Sequence, residues 1–278
     1  MRPWVNLTLP VFNEAAQLAL STARLMVVLD QQSQWRWELV MADNGSTDGT
    51  FAVAQRVVRA VDRTGSAARR LADTDPAPRG LSLRAIHLPQ PGRGEALKTA
   101  WLGTDADVVS YMDIDLSTDL AHLPELIRVI LEGQADLAIG SRLLPASRTT
   151  RGWKREWISR CYNQILRRVL GLRTHDAQCG FKALSREAAR ALLPQVRDRG
   201  FFFDTELLFL AQQQGWRIAE IPVCWIDDPD SRVRLVRTIH ADLAGVWRLR
   251  RSGGGRRAMV RQAGKLRSPC SAREDRVP

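Results

Sequence analysis

The chain has 278 residues, 45% of them hydrophobic, with a formal net charge of +11 and a sequence pI near 10.6. That is enough apolar material for a substantial core, and one large α/β domain fits the length better than several small ones. The four cysteines, Cys161, Cys179, Cys224 and Cys270, show no C-x-x-C pair and no His at ligand spacing. This argues against a disulfide framework or a zinc site, and for a reducing compartment.

Met1-Arg2-Pro3 runs directly into a strand-like segment, so no signal peptide is expected. Arg24 interrupts the longest apolar candidate, Leu18 to Leu29, well short of the roughly 18 to 20 residues that span a bilayer. Excess Arg attracts polyanions: nucleic acid, phosphate-bearing ligands or an anionic membrane face. A scattered Arg surplus is also what biased composition alone produces.

The predicted elements alternate. Trp4 to Leu9 reads as a strand and Glu14 to Asp30 as a helix. Trp37 to Ala42 is a strand, Thr47 to Val61 a helix, and Arg63 to Gly80 a long surface loop. Leu83 to Leu88, Val108 to Met112 and Asp136 to Ile139 are further strands, separated by helices at Glu95 to Leu102 and Leu120 to Leu131. The alternation predicts a mostly parallel sheet with helices on both faces. Ligands on such sheets bind beyond the carboxyl ends of the strands. Lys154 to Leu170 and Arg234 to Arg251 read as basic amphipathic helices, and residues 252–278 as a disordered basic tail.

The motifs sit at the predicted strand ends. Leu9-Pro-Val-Phe-Asn-Glu14 closes the first strand, with Glu14 suited to a helix N-terminus. Ala42-Asp-Asn-Gly-Ser-Thr-Asp-Gly49 closes the second. There Asp43 can accept a hydrogen bond from a nucleobase N–H, and Gly45 permits a tight turn. Gly92-Arg-Gly-Glu-Ala-Leu-Lys98 lacks the spacing of a P-loop, but its glycines open a helix, and Arg93 or Lys98 can add charge near a phosphate. Asp113-Ile-Asp115 follows an apolar strand, where two carboxylates can converge on Mg²⁺ or Mn²⁺ shared with a diphosphate. Arg142 at the next strand end suits bidentate phosphate contact, and Arg155 is either a second such group or surface charge. His175 to Lys182 gathers Asp176, Gln178 and Lys182 in one short run. Asp204 and Glu206 open a helix, either as ordinary N-terminal acids or facing the site.

In this order the motifs resemble glycosyltransferase family 2. They are most similar to its dolichyl-phosphate glucosyltransferase and polyprenyl-phosphate mannose synthase branch, from about Val5 to Val236. The most specific segments are Asp176-Ala-Gln-Cys-Gly-Phe-Lys182, Phe203-Asp-Thr-Glu-Leu-Leu208 and Ala219-Glu-Ile-Pro-Val223. The set looks more like the glucosyl than the mannosyl enzymes. The resemblance implies a GT-A fold, a Rossmann-like central sheet flanked by helices, and inversion at the anomeric carbon. It implies nucleotide-sugar contacts from Pro10, Phe12, Glu14, Asp43, Asn44, Gly45 and Arg93, with metal at Asp113 and Asp115. Acceptor phosphate falls to Arg142, Arg155 and Lys182. The family often has Tyr in place of Phe12 and Asp in place of Asn44. The mannosyl enzymes often place a third metal ligand, Gln, near Ser117, and this chain has none there.

The domain reading is a catalytic unit over residues 1–236, a basic helix over 237–251 and the tail beyond. The expected activity moves a hexose, glucose favoured, from a nucleotide sugar, UDP-linked favoured, to a polyprenyl or dolichyl monophosphate. The expected location is the cytoplasmic face of an anionic membrane, attached peripherally. The alternatives are a GDP-mannose or UDP-N-acetylhexosamine enzyme, or a soluble transferase to a sugar hydroxyl with Asp204 as base. A nucleic-acid-binding protein is the distant alternative. No recognition signature accompanies the charge, so no nucleic acid partner is expected.

Overall fold

The computed structural model describes residues 2–71, 80–150, 152–226 and 235–252. The first strand, β1 (Trp4–Val11), buries Val5, Leu7, Leu9 and Val11 on one face and Asn6 and Thr8 on the other. A strand covered on both faces belongs in the middle of a layered sheet. β2 (Arg36–Asn44) pairs with it in parallel, and β3 (Leu81–Leu88) pairs with β2 in parallel. On its other side β1 pairs in parallel with β4 (Val108–Met112), all five residues of which are buried.

Beyond β4 the sheet departs from the simple alternation. The strand β7 (Phe181–Ser185) is inserted antiparallel between β4 and β5 (Leu137–Ser141), and β8 (Ile218–Pro222) continues in parallel beside β5. The seven-stranded order is β3-β2-β1-β4-β7-β5-β8. The chain steps outward in opposite directions from β1 and β4, a topological switch point where a crevice opens. A second, two-stranded sheet joins β6 (Arg148–Thr150) to β9 (Cys224–Ile226). It ties down the chain after β4, because Ile226 N–H donates to the Ser117 carbonyl and Asp119 N–H to that of Cys224.

Two cores cover the two faces. One is closed by α1 (Leu18–Gln31), α2 (Thr50–Leu71) and α4 (Leu123–Leu131). The other is closed by α3 (Arg93–Leu102), α5 (Trp153–Leu170), α6 (Arg186–Leu192), α7 (Phe203–Gln213) and α8 (Leu235–Ser252).

Three expectations need correction. Helix α1 begins at Leu18 rather than Glu14. Asn13 adopts φ 57°, and the N–H groups of Asn13, Glu14 and Ala15 are taken by the Ser46, Thr50 and Asp48 side chains. The segment read as a loop from Arg63 is helical as far as Leu71, because α2 continues through it. Ala, Arg and Leu there are good helix formers, and extending a helix is cheap once it has nucleated. Cys224 is disulfide-bonded, whereas Cys161 and Cys179 are free. Of the predicted tail, residues 252–278, Ser252 closes α8 and residues 253–278 lie outside the described residues.

Candidate active site

Four parallel strands end side by side, and most of the candidate residues sit on those ends. The β1 and β2 ends are stitched together. Asn44 Nδ2 donates to the Val11 carbonyl at 2.7 Å, and its Oδ1 accepts from Gly92 N–H at 3.3 Å. Asn44 therefore braces three segments. Gly45 has φ +83°, and a Cβ there would lie 2.9 Å from the Gln90–Pro91 peptide, so only glycine fits this turn. Pro10 and Glu14 are half-buried beside it, and the Phe12 side chain is 45% exposed.

Asp43 has no exposed surface. Its Oδ2 lies 2.6 Å from His87 Nδ1, and its Oδ1 accepts from Ser46 N–H at 3.3 Å. His87 stands on the neighbouring strand end, in register with Asp43, and its ring packs against Phe51 at 4.9 Å. The sequence reading missed His87. Its only signal was its place at the end of β3.

Asp113 emerges from β4 with its side chain 39% exposed, and its Oδ1 accepts from Arg93 Nη2 at 2.7 Å. Gly180 packs directly on the carboxylate: a Cβ there would lie 1.8 Å from Asp113 Oδ2. Asp115 is half-buried, and its Oδ1 accepts from Ser117 N–H at 2.9 Å. Leu116 between them takes φ 54°, an uncommon conformation for a bulky residue. Arg93 lies over the rings of Tyr111 and Phe201 at 5.2 and 5.5 Å. Burial alone would lower its pKa, but the charge on Asp113 and its neighbours outweighs burial and holds it raised. Lys98 points elsewhere, donating to the Val196 carbonyl at 3.2 Å.

A hard divalent cation fits this corner. Two carboxylates project from one strand end, and the buried Ser117 Oγ beside them has no hydrogen-bond partner among the described residues. No group of three His, Cys, Asp or Glu suited to a metal occurs among the described residues. Mg²⁺ is commonly held by one or two carboxylates, with substrate phosphates and water supplying the rest.

Behind this corner lies a set of buried ion pairs. Arg142 is bidentate to Asp176, at 2.7 and 2.9 Å, and its backbone N–H donates to the same carboxylate at 3.0 Å. Its guanidinium also lies 5.5 Å from the Trp225 ring centre. Asp176 is fully buried, so it fixes Arg142 rather than meeting a ligand. Lys182 is likewise fully buried, 2.9 Å from Asp204 and 3.2 Å from Tyr111 Oη. Its expected place at an acceptor phosphate is corrected: it neutralises Asp204 inside the core. Asp204 also accepts from Tyr111 Oη at 2.5 Å, so it is poorly placed as a base for an incoming hydroxyl.

Glu206 takes the structural side of its two open readings. It is bidentate with Arg248 of α8, at 2.8 and 2.9 Å, and accepts from two backbone N–H groups. Gln178 donates to Asp242 of α8 at 2.8 Å and to Tyr162 Oη of α5 at 3.3 Å. Arg155 lies on α5, and its side chain is outside the described residues.

Comparison with known proteins agrees with this architecture. The profile described as Glycosyl transferase family 2 matches residues 7–193. Glycosyltransferase AglD of Haloferax volcanii is 37% identical over 238 residues, which is 84% of this chain but only 35% of that protein. The dolichyl-phosphate beta-glucosyltransferase of Saccharomyces cerevisiae is 26% identical over 84% of this chain and 70% of its own length. Glucosyl-3-phosphoglycerate synthase from Mycobacterium tuberculosis, crystallised with Mn²⁺, UDP and phosphoglyceric acid, superposes with a TM-score of 0.61 at 20% identity. The match covers 92% of this chain and 80% of that one, a likeness that shows the GT-A fold. From sheet order, strand-end acids and relatives alike, the chain belongs to glycosyl transferase family 2.

Proposed function

We propose that the chain transfers a hexosyl group, glucose favoured, from a nucleotide sugar, UDP-linked favoured, to a polyprenyl monophosphate with inversion. The observation that carries this reading is the Asp113–Asp115 pair at the end of β4. The Phe12, Asp43 and His87 row lies across the neighbouring strand ends, and Arg142 stands beyond it. The name of the yeast relative supports the glucosyl donor and the lipid phosphate acceptor.

Asp113 and Asp115 would hold a divalent cation, which when bound offsets charge on the leaving nucleotide. Arg93, held at Asp113, adds a fixed positive charge where the diphosphate would lie. Arg142, oriented by Asp176, presents its remaining face to the acceptor anion. A phosphate oxygen is already anionic near neutral pH, so attack on the sugar C1 needs no strong base. The burial of Asp204 favours this acceptor over a sugar hydroxyl.

The acceptor is a lipid, yet no described helix is long and apolar enough to cross a membrane. The exposed face of α5 and α8 supports peripheral attachment. Trp153, Trp157 and Trp247 are exposed on α5 and α8, beside exposed Arg160, Arg167, Arg168, Arg250 and Arg251. Trp at a headgroup boundary and Arg near an anionic leaflet both favour adsorption.

The test is incubation with UDP- and GDP-sugars, a short polyprenyl phosphate and Mg²⁺ or Mn²⁺, with mass spectrometry of the lipid. A hexosyl-phosphate lipid from a UDP-hexose is expected. Asp113→Ala should abolish it, and near-normal turnover by that variant would sink the assignment. A mannosyl lipid formed from a GDP-sugar alone would favour the mannosyl reading.

A further inference from the structure

We propose that Trp225 is the positioning residue for Arg142: its indole face fixes the guanidinium relative to the loop that carries Asp113 and Asp115, and so sets where an acceptor phosphate docks against the donor. The proposal rests on the reading of Arg142 as the acceptor-anion residue. Asp176 holds Arg142 through Nε and Nη2, at 2.7 and 2.9 Å. That pair fixes one edge of the guanidinium and takes no part of Nη1, which keeps its donors for an incoming phosphate. A planar group pinned along one edge can still tilt about it. The Trp225 ring centre lies 5.5 Å from Arg142 Cζ, within cation–π range, and opposes that tilt.

The backbone around Trp225 joins the two halves of the site. On one edge of β9, the Cys224 carbonyl accepts from Asp119 N–H at 2.9 Å, and Ile226 N–H donates to the Ser117 carbonyl at 2.9 Å. Between these bonds Trp225 forms an antiparallel bridge with Thr118. On the other edge β9 pairs with β6, placing Trp225 opposite Thr149. At its root, Val223 N–H donates at 3.3 Å to the carbonyl of Ser141, the residue before Arg142. One short strand thus ties the segment just beyond Asp115 to the chain that presents Arg142. Neighbouring residues on a strand face opposite ways, so Cys224 and Ile226 turn away from the face on which the Trp225 ring meets Arg142. That ring is half-buried and packs against the core that α4 closes, which gives it a fixed seat.

Calorimetry of a short prenyl phosphate, with UDP and Mg²⁺ present, tests this on wild type, Trp225→Leu, Trp225→Phe, Arg142→Ala and the Arg142→Ala/Trp225→Leu double variant. Trp225→Leu keeps an apolar side chain on the core but has no π face. It should weaken prenyl phosphate binding about 3- to 10-fold, the scale of a cation–π contact. Trp225→Phe restores a π face and should recover most of that loss. UDP affinity with Mg²⁺ should be the same in both variants as in wild type, because the backbone bonds of β9 remain. In turnover, Trp225→Leu should raise KM for the lipid phosphate and leave KM for the nucleotide sugar unchanged. With Arg142 removed, Trp225→Leu should cost nothing further, because Trp225 acts only through Arg142. Wild-type affinity for the prenyl phosphate in Trp225→Leu overturns the proposal. So does an equal loss in Trp225→Phe, an equal loss of UDP affinity, or a loss that persists without Arg142. Wild-type protein that binds the prenyl phosphate no better than the corresponding prenyl alcohol overturns the acceptor reading of Arg142, and the proposal with it.

Discussion

A methyl group at Gly180 would occupy the space of the Asp113 carboxylate, since the ideal Cβ lies 1.8 Å from Oδ2. Gly180→Ala must therefore move Asp113, the backbone of β7, or both. A displacement near 1 Å at a reacting centre can cost about 100-fold. The expected result is a kcat reduced by about that factor, measured on the lipid product, with the fold retained by circular dichroism. Asp176 illustrates a different control. Burial would raise its pKa, but Arg142's charge and hydrogen bonds outweigh burial and hold it below the usual carboxylate range. A carboxylate depressed in the folded state stabilises the fold above its unfolded pKa and loses that contribution as pH falls. Urea unfolding at pH 7 and pH 3 should show a stability loss that is smaller in Asp176→Asn.

At the scale of elements, the C-terminal helix is part of the fold as well as a basic surface. Arg248 of α8 is bidentate to Glu206 of α7, a side chain only 3% exposed. Asp242, on the same helix, meets Gln178 and Tyr162, and its burial raises its pKa. Arg248→Ala leaves the buried Glu206 carboxylate without its cation. Arg248 is one-third exposed, which moderates the cost to about 2 kcal/mol in equilibrium unfolding. An unchanged denaturation midpoint would show that the pair contributes nothing measurable. The antiparallel strand β7 matters in the same way, because it carries Gly180 at its entrance and Lys182 into the core.

For the whole molecule, the net charge of +11 and the exposed Trp–Arg face of α5 and α8 belong to one argument. Each basic residue near an anionic leaflet contributes about 1 kcal/mol before screening, and the Debye length is about 10 Å at 0.1 M salt. Sedimentation with phosphatidylserine vesicles should show binding at low salt that falls steeply as salt rises. Trp157→Ala should weaken it with turnover on a detergent-solubilised acceptor preserved. Binding indifferent to both salt and Trp157 would remove the face from the account.

The first five strands, the helices between them and the acids at the strand ends were legible in the chain, because period and apolar runs are local signals. Asp113 and Asp115 could be named from position alone, at the end of a wholly apolar strand. Lys182, Glu206 and His87 could not be read this way. Whether a charged side chain faces solvent, a ligand or a buried counter-charge depends on strands and helices distant in sequence. β7 lies antiparallel between β4 and β5, which turns Lys182 inward to Asp204. α8 returns to α7, which gives Glu206 to Arg248. β3 packs beside β2, which covers Asp43 with His87. By itself the sequence determined the fold class, the family and the acidic pair. Tertiary structure decided which charges serve the core and which remain for a ligand, because burial and counter-charge exist only once the chain has closed on itself.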